Sequence, residues 1–209
     1  MAEAPQTTRD RLLEAARALF TTTGFHATTT PMIARHAGVA EGTIYRHFPS
    51  KEALLNVAYQ EVQRWGATLV RDAGNSTAPT VGDRLTALGR VWLAAAQDDP
   101  ARMRMLLGPR AAADLDDASR ASSVELRQGL EHLIARGKQE GTVRAGVVEL
   151  WTAVWLTLVS FAVEQVASRE WTATHPHAIA TLDAAWEAIA WRPIAVGAGT
   201  APATDGAGR

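Results

Sequence analysis

Apolar side chains recur every three to four residues along almost the whole chain, and no stretch alternates long enough to suggest a strand. Leu12, Ala16, Leu19 and Phe20 form one stripe on a first helix, which the pair Thr7 and Asp10 can cap and which ends before Gly24. A short helix is expected from near Thr29 to a break at Gly38, and a second from about Ala40 to Phe48. Pro49-Ser50 then opens a long one over 51–72. Further helices are expected at about 81–98, 101–112, 118–140, 147–168 and 177–191. Gly, Asn, Ser, Pro or Asp residues break them at 73–80, 113–117 and 141–146. The predicted fold class is all-α, with about nine helices.

The segment from Gly24 to Leu55 is the most specific part of the pattern. Gly38 can take a positive φ and turn the chain, small Ala34 and Ala37 let two helices approach closely, and Val39, Ile44 and Phe48 supply apolar contacts behind them. This is the pattern of a helix-turn-helix. Ile44 and Phe48 are four apart and face inward, which leaves Glu41, Gly42, Thr43, Tyr45, Arg46 and His47 to face a ligand with groups suited to phosphates and base edges. Gly42 weakens the helix by about 1 kcal/mol but lets a duplex backbone come close. Thr29 can cap the first of the two short helices, with Pro31 tolerated in its opening turn, and Ser50 can cap the helix from Lys51.

Thr29, Ile33-Ala34, Ala37-Gly38-Val39, Gly42-Thr43, Tyr45, Phe48, Lys51 and Leu54 make this run resemble the amino-terminal signature of the tetracycline-repressor (TetR) family of transcriptional regulators. One departure is Ala40, where that family often has a capping Ser; the loss of the cap should cost about 1 kcal/mol. The residues expected to meet DNA are Thr29, Thr30, Glu41, Gly42, Thr43, Tyr45, Arg46, His47 and Lys51. Tyr45, His47 and Lys51 are assigned to phosphates, and Arg46 and Thr43 to bases. Two assignments stay open: His47 has a core-histidine reading, and Glu41 serves a helix dipole as well as it would a cytosine amino group.

Charge refines this picture. The chain carries a net charge of only −1, yet through Lys51 there are six basic side chains against four acidic ones, and beyond it fifteen against eighteen. The amino-terminal end is the natural face for phosphate. There is no cysteine, which excludes disulfides and thiolate metal sites and suits a reducing, cytoplasmic setting. The start Met1-Ala-Glu-Ala-Pro-Gln6 is neither basic nor followed by a continuous apolar run, and no charge-free apolar stretch reaches the roughly 20 residues of a membrane span, so neither a targeting signal nor a membrane partner is expected.

A three-helix reader needs only about 50 residues, so the following 150 or so can build a second core. The expected division is 1–51 for the helix-turn-helix domain, 52–196 for a helical effector-binding and dimerisation domain, and 197–209 for a loose Gly/Ala/Pro/Thr tail. Leu150 to Val163 is apolar nearly all round, and Ile179, Leu182, Trp186 and Ile189 form a stripe at helical spacing. With Trp151, Val154 and Leu158 they are the expected interface of a four-helix homodimer, an arrangement the family resemblance also implies; buried monomer core is the competing reading. All seven tryptophans follow residue 60. Trp65, Leu69, Trp92, Met103, Leu106, Leu107 and Trp155 are the expected walls of a pocket for an apolar or aromatic small-molecule effector, against the simpler reading that they fill a core.

Other constellations carry less. His175-Pro-His177 with Asp183 and Glu187 is explained by capping and solvation, so no metal or cofactor is assigned. No nucleophile–base spacing or phosphate loop supports catalysis, and no enzyme is expected. The reading is a homodimeric regulator, a repressor, that binds double-stranded DNA at a pseudopalindromic operator and is released by the effector. The alternatives are an all-helical small-molecule-binding or catalytic protein that keeps the head only structurally, and a regulator controlled by a protein partner.

Overall fold

Thr7 begins the first helix as its sequence suggests. Its hydroxyl accepts from the Asp10 amide at 3.2 Å while the Asp10 carboxylate accepts from the Thr7 amide at 3.1 Å, closing a capping box ahead of α1 (Thr8–Thr22). The structure, a computed structural model, describes residues 6–108 and 114–191. The tail from Gly197 and the expected helical residues 109–112 lie outside these.

Helix α2 (Thr30–Ala37) ends at Gly38, whose φ of 66° reverses the chain. Thr29 stands at the N-cap position, but its side chain makes no capping bond, contrary to expectation. The second short helix is not continuous either. It resolves into a 3₁₀ turn (Glu41–Thr43) followed by the single-turn α3 (Ile44–His47), because uncapped Ala40 and flexible Gly42 hold the first amides poorly. Ser50 does cap α4 (Lys51–Asn75), accepting from the Ala53 amide at 3.1 Å.

The remaining helices are α5 (Val81–Asp98), α6 (Pro100–Leu107), α7 (Asp117–Gln139), α8 (Val148–Ala167) and α9 (Pro176–Ile189). Thr80, Asp99 and Asp116 cap α5, α6 and α7 through side-chain oxygens, so each start is written locally in the sequence. Among the described residues there are nine α-helices and no strand. A single bridge between Val143 and Ala190 pins the α7–α8 loop to the end of α9.

The buried core runs without a break from Leu12 in α1 to Ile189 in α9. The longest packed pairs are α4 with α7 and α8 with α9, while α1 packs on α2, α4 and α6. Helix α8 is long and apolar enough to cross a membrane by length and composition alone, yet Trp155, Val159, Ala162, Val163 and Val166 are buried inside this bundle. Its opposite side is uncovered, with Leu150 and Phe161 each 52% exposed.

That geometry corrects the expected dimer stripe on α9. Leu182 and Ile189 are fully inside the subunit. Leu182 lies over Gly89 and Trp186 over Gly82, so the stripe faces α5 rather than a second chain. Val154, Leu158 and Ile179 remain only partly buried, and Trp151 is held by its own loop, its indole N–H donating to the Ala145 carbonyl at 3.2 Å.

The α5–α9 contact makes a prediction of its own. Ala in place of a helical Gly should stabilise by up to about 1 kcal/mol. At Gly82, however, a Cβ would lie 2.6–3.0 Å from three atoms of the rigid Trp186 indole. Overpacking of that kind costs about 1–3 kcal/mol, so Gly82→Ala is expected to lower the melting temperature by a few degrees. A raised melting temperature would show that the indole is free to move outward.

Candidate nucleic-acid interface

The α2–turn–α3 unit owes its shape to a small apolar base. Ile33, Ala34, Ala37, Ile44 and Phe48 are buried in one core with Leu12 and Ala16 of α1 and Leu55 of α4, and α2 packs on α1. What the base leaves outside is polar. Glu41, Gly42, Tyr45, Arg46 and His47 are exposed on the turn and α3, and Thr43 is half-buried. Tyr45 is 54% exposed, unusual for a ring of that size, and its hydroxyl hydrogen-bonds the Thr30 hydroxyl at 3.2 Å. That bond ties the start of α2 to α3 and fixes two hydroxyls on one surface. Nothing approaches within 4 Å of the position a Gly42 Cβ would take, so the protein's own packing does not require glycine there. No described residue pairs with the Arg46 guanidinium.

Lys51 behaves differently from its sequence assignment. Its ammonium donates to the carbonyls of Phe25 and Thr28 at 3.0 and 2.9 Å and sits 4.4 Å from the centre of the Phe25 ring. The charge ties the α1–α2 loop to the start of α4 and is not displayed as a phosphate contact. Lys51→Ala is therefore expected to cost about 1–3 kcal/mol of stability without DNA present, by stranding carbonyls that a cation now satisfies. An unchanged thermal unfolding curve would return Lys51 to the phosphate role.

The residues expected to wall a small-molecule pocket are not brought together around one space. Trp92, Met103 and Trp155 are at most 1% exposed, and the Trp92 and Trp155 rings pack 5.7 Å apart in solid core. Trp65 is on the other side of α4, under the Arg102 guanidinium at 5.2 Å, and Leu69 is partly buried beside the core. Only Leu106 and Leu107 of the expected set line the large cavity, which has a volume of about 480 Å³ and lies between α4, α6, α7 and α8. Its other walls include Tyr59, Gln63, Leu126, Leu130, Leu156 and Thr157. Sequence reasoning favoured large aromatics and passed over the informative signal, a glutamine on the buried side of α4 among Tyr59, Val62 and Gly66.

Helix α6 joins this cavity to the amino-terminal helices. Its last turn carries Leu106 and Leu107, and its N-cap Asp99 meets Arg17 of α1 at 3.6 Å and Arg102 at 3.3 Å. Burial pulls the Arg17 guanidinium below its ordinary pKa, and Asp99 works against that shift.

Residues 12–58 match the family described as bacterial regulatory proteins, tetR family. The chain is similar to the HTH-type transcriptional regulator UidR of Escherichia coli K12, with 42% identity over 60 residues, 28% of this chain and 31% of the relative. It is also similar to the HTH-type transcriptional repressor KstR2 of Mycobacterium tuberculosis (strain H37Rv), with 40% identity over 70 residues, 34% and 35% of the two chains. The match thus spans about a third of the length of these curated relatives. Beyond that segment the fold is similar to that of a solved structure from Shewanella sp. PV-4 assigned to the tetR family of transcription regulators. The TM-score is 0.71 at 27% identity, covering 89% of this chain and all of that one.

Proposed function

We propose that this chain, which belongs to the tetR family by residues 12–58 and by its fold, is a DNA-binding transcriptional repressor that acts as a homodimer and is released by a small effector. The observation that carries the reading is the surface formed by Thr30, Tyr45 and Arg46. There a buried apolar base holds two hydroxyls and a guanidinium with no described partner outward beside Gly42, where space is open. Such groups hold a phosphate backbone and read a major-groove edge.

One short helix reads too few base pairs for useful specificity, so two heads on an inverted repeat are the expected arrangement. The uncovered side of α8, with Leu150, Val154, Leu158 and Phe161, supports dimerisation. Beside it α9 presents small Ala180 and Ala184, which let a second pair of helices approach closely. Division into a head near 1–51 and a second unit near 52–196 remains part of the proposal.

An effector in the cavity of α4, α6, α7 and α8 would press on α6, whose N-cap is ion-paired to α1 of the head. It would favour a head spacing that does not fit successive major grooves, shifting a population rather than blocking DNA. The test is selection of bound sequences from a random duplex pool. Enrichment of an inverted repeat with half-sites about one helical turn apart is expected. Failure to enrich any sequence would favour a head kept only as structure.

A further inference from the structure

We propose that the cavity between α4, α6, α7 and α8 selects a neutral ligand with an apolar body and a hydrogen-bond donor, a phenol or alcohol rather than a carboxylate, and that Gln63 is the residue that reads the donor. The inference rests on the reading of this cavity as the effector site.

Gln63 is 1% exposed and lines the cavity. Its amide nitrogen donates to the Leu106 carbonyl at 3.2 Å, in the last turn of α6. A carbonyl only accepts, so this bond determines which way the amide is turned and commits Oε1 to the other side. No described residue donates to that buried oxygen. A buried acceptor without a partner is destabilising, and a donor brought by a ligand would remove the penalty.

Two of the neighbouring hydroxyls have the same polarity. Ser123 donates its proton to the Arg120 carbonyl and Thr157 to the Ala153 carbonyl, both at 2.8 Å, so their oxygens remain as acceptors. Leu106, Leu126, Leu130 and Leu156 supply the apolar walls. A carboxylate placed against the Gln63, Ser123 and Thr157 oxygens would set lone pairs against lone pairs. The cationic lining residue, Arg127, is 61% exposed at its side chain and faces Glu131 at 3.7 Å, so water and that carboxylate already screen its charge. A donor on Gln63 also touches the side chain that holds the end of α6, the helix tied to α1 at its other end.

The test uses three probes with one apolar body: 2-naphthol, naphthalene and 2-naphthoate, titrated calorimetrically into the full-length protein. Wild type is expected to bind 2-naphthol about tenfold more tightly than either of the others, the worth of one buried hydrogen bond. Gln63→Met should bring 2-naphthol and naphthalene to equal affinity; Gln63→Leu serves if that variant does not fold. Equal affinity of wild type for 2-naphthol and naphthalene would overturn the role of Gln63 while leaving the cavity as the ligand site. Tightest binding of 2-naphthoate would overturn the donor preference. Binding of none of the three would overturn the cavity reading and this inference with it.

Discussion

Replacing Leu150 and Phe161 together by glutamate is expected to convert the protein from dimer to monomer without unfolding the subunit. Each side chain is 52% exposed in the single chain, so neither carboxylate is forced into the subunit's own core. Within the subunit the main loss is the edge-on contact of Phe161 with Trp171, rings 5.7 Å apart, worth about 0.5–1.5 kcal/mol. In a dimer joined through α8 both carboxylates of each chain would be buried in an apolar interface. At about 3 kcal/mol or more apiece, that is far above what an interface side chain ordinarily contributes. Sedimentation at micromolar concentration should give a single-chain mass, and helical circular dichroism should persist. Operator affinity should fall by about a hundredfold or more, because the second head loses the effective concentration that the first supplied. A dimer of unchanged mass would place the interface away from the uncovered side of α8.

The second large effect is expected at Arg46. Its guanidinium has no described partner, so Arg46→Ala should leave the melting temperature where it is. A bidentate base contact is worth about 1–3 kcal/mol, and a symmetric operator would lose it twice, once in each half-site. Operator affinity should therefore fall by a factor of about 30 to 10⁴, with preference relaxed at one position of each half-site. Tyr45→Phe, which removes the bond to Thr30, should instead weaken all sequences alike, as a backbone contact does. If both variants bound every duplex with wild-type affinity, the surface of Thr30, Tyr45 and Arg46 would not be the DNA face.

The two experiments are independent, since the α8 substitutions leave the surface of Thr30, Tyr45 and Arg46 intact and the Arg46 substitution leaves α8 intact. The Gly82 and Lys51 substitutions test the frame that supports both. Lys51 is the more instructive, because a lysine on a DNA-reading head invites a phosphate role while here its ammonium satisfies two loop carbonyls.

Local chemistry was legible in the chain alone. The capping pairs Thr7 with Asp10 and Ser50 with the Ala53 amide, the turn at Gly38 and the inward pair Ile44 and Phe48 depend on neighbours within a few residues. Such short-range signals identify nine helices and the helix-turn-helix without any knowledge of their packing. The exposed side of the turn and α3, with Glu41, Gly42, Tyr45, Arg46 and His47, emerged the same way, by subtracting the buried stripe from a short helix.

What only the tertiary structure decided was which apolar stripe meets which neighbour. Periodicity shows that Leu182, Trp186 and Ile189 share one side of α9, but it does not distinguish another helix of the same chain from a helix of a second chain. Gly82 and Gly89 on α5, about a hundred residues away, settle the matter by leaving room for Trp186 and Leu182. The same holds for the cavity. Trp92 and Trp155 fill one another's space, while Gln63, bonded to the Leu106 carbonyl, lines the gap that leucines leave open. Apolar burial is non-directional and sets only that a face must be covered; shape and the pairing of buried polar atoms choose what covers it, and both depend on residues far apart in the chain.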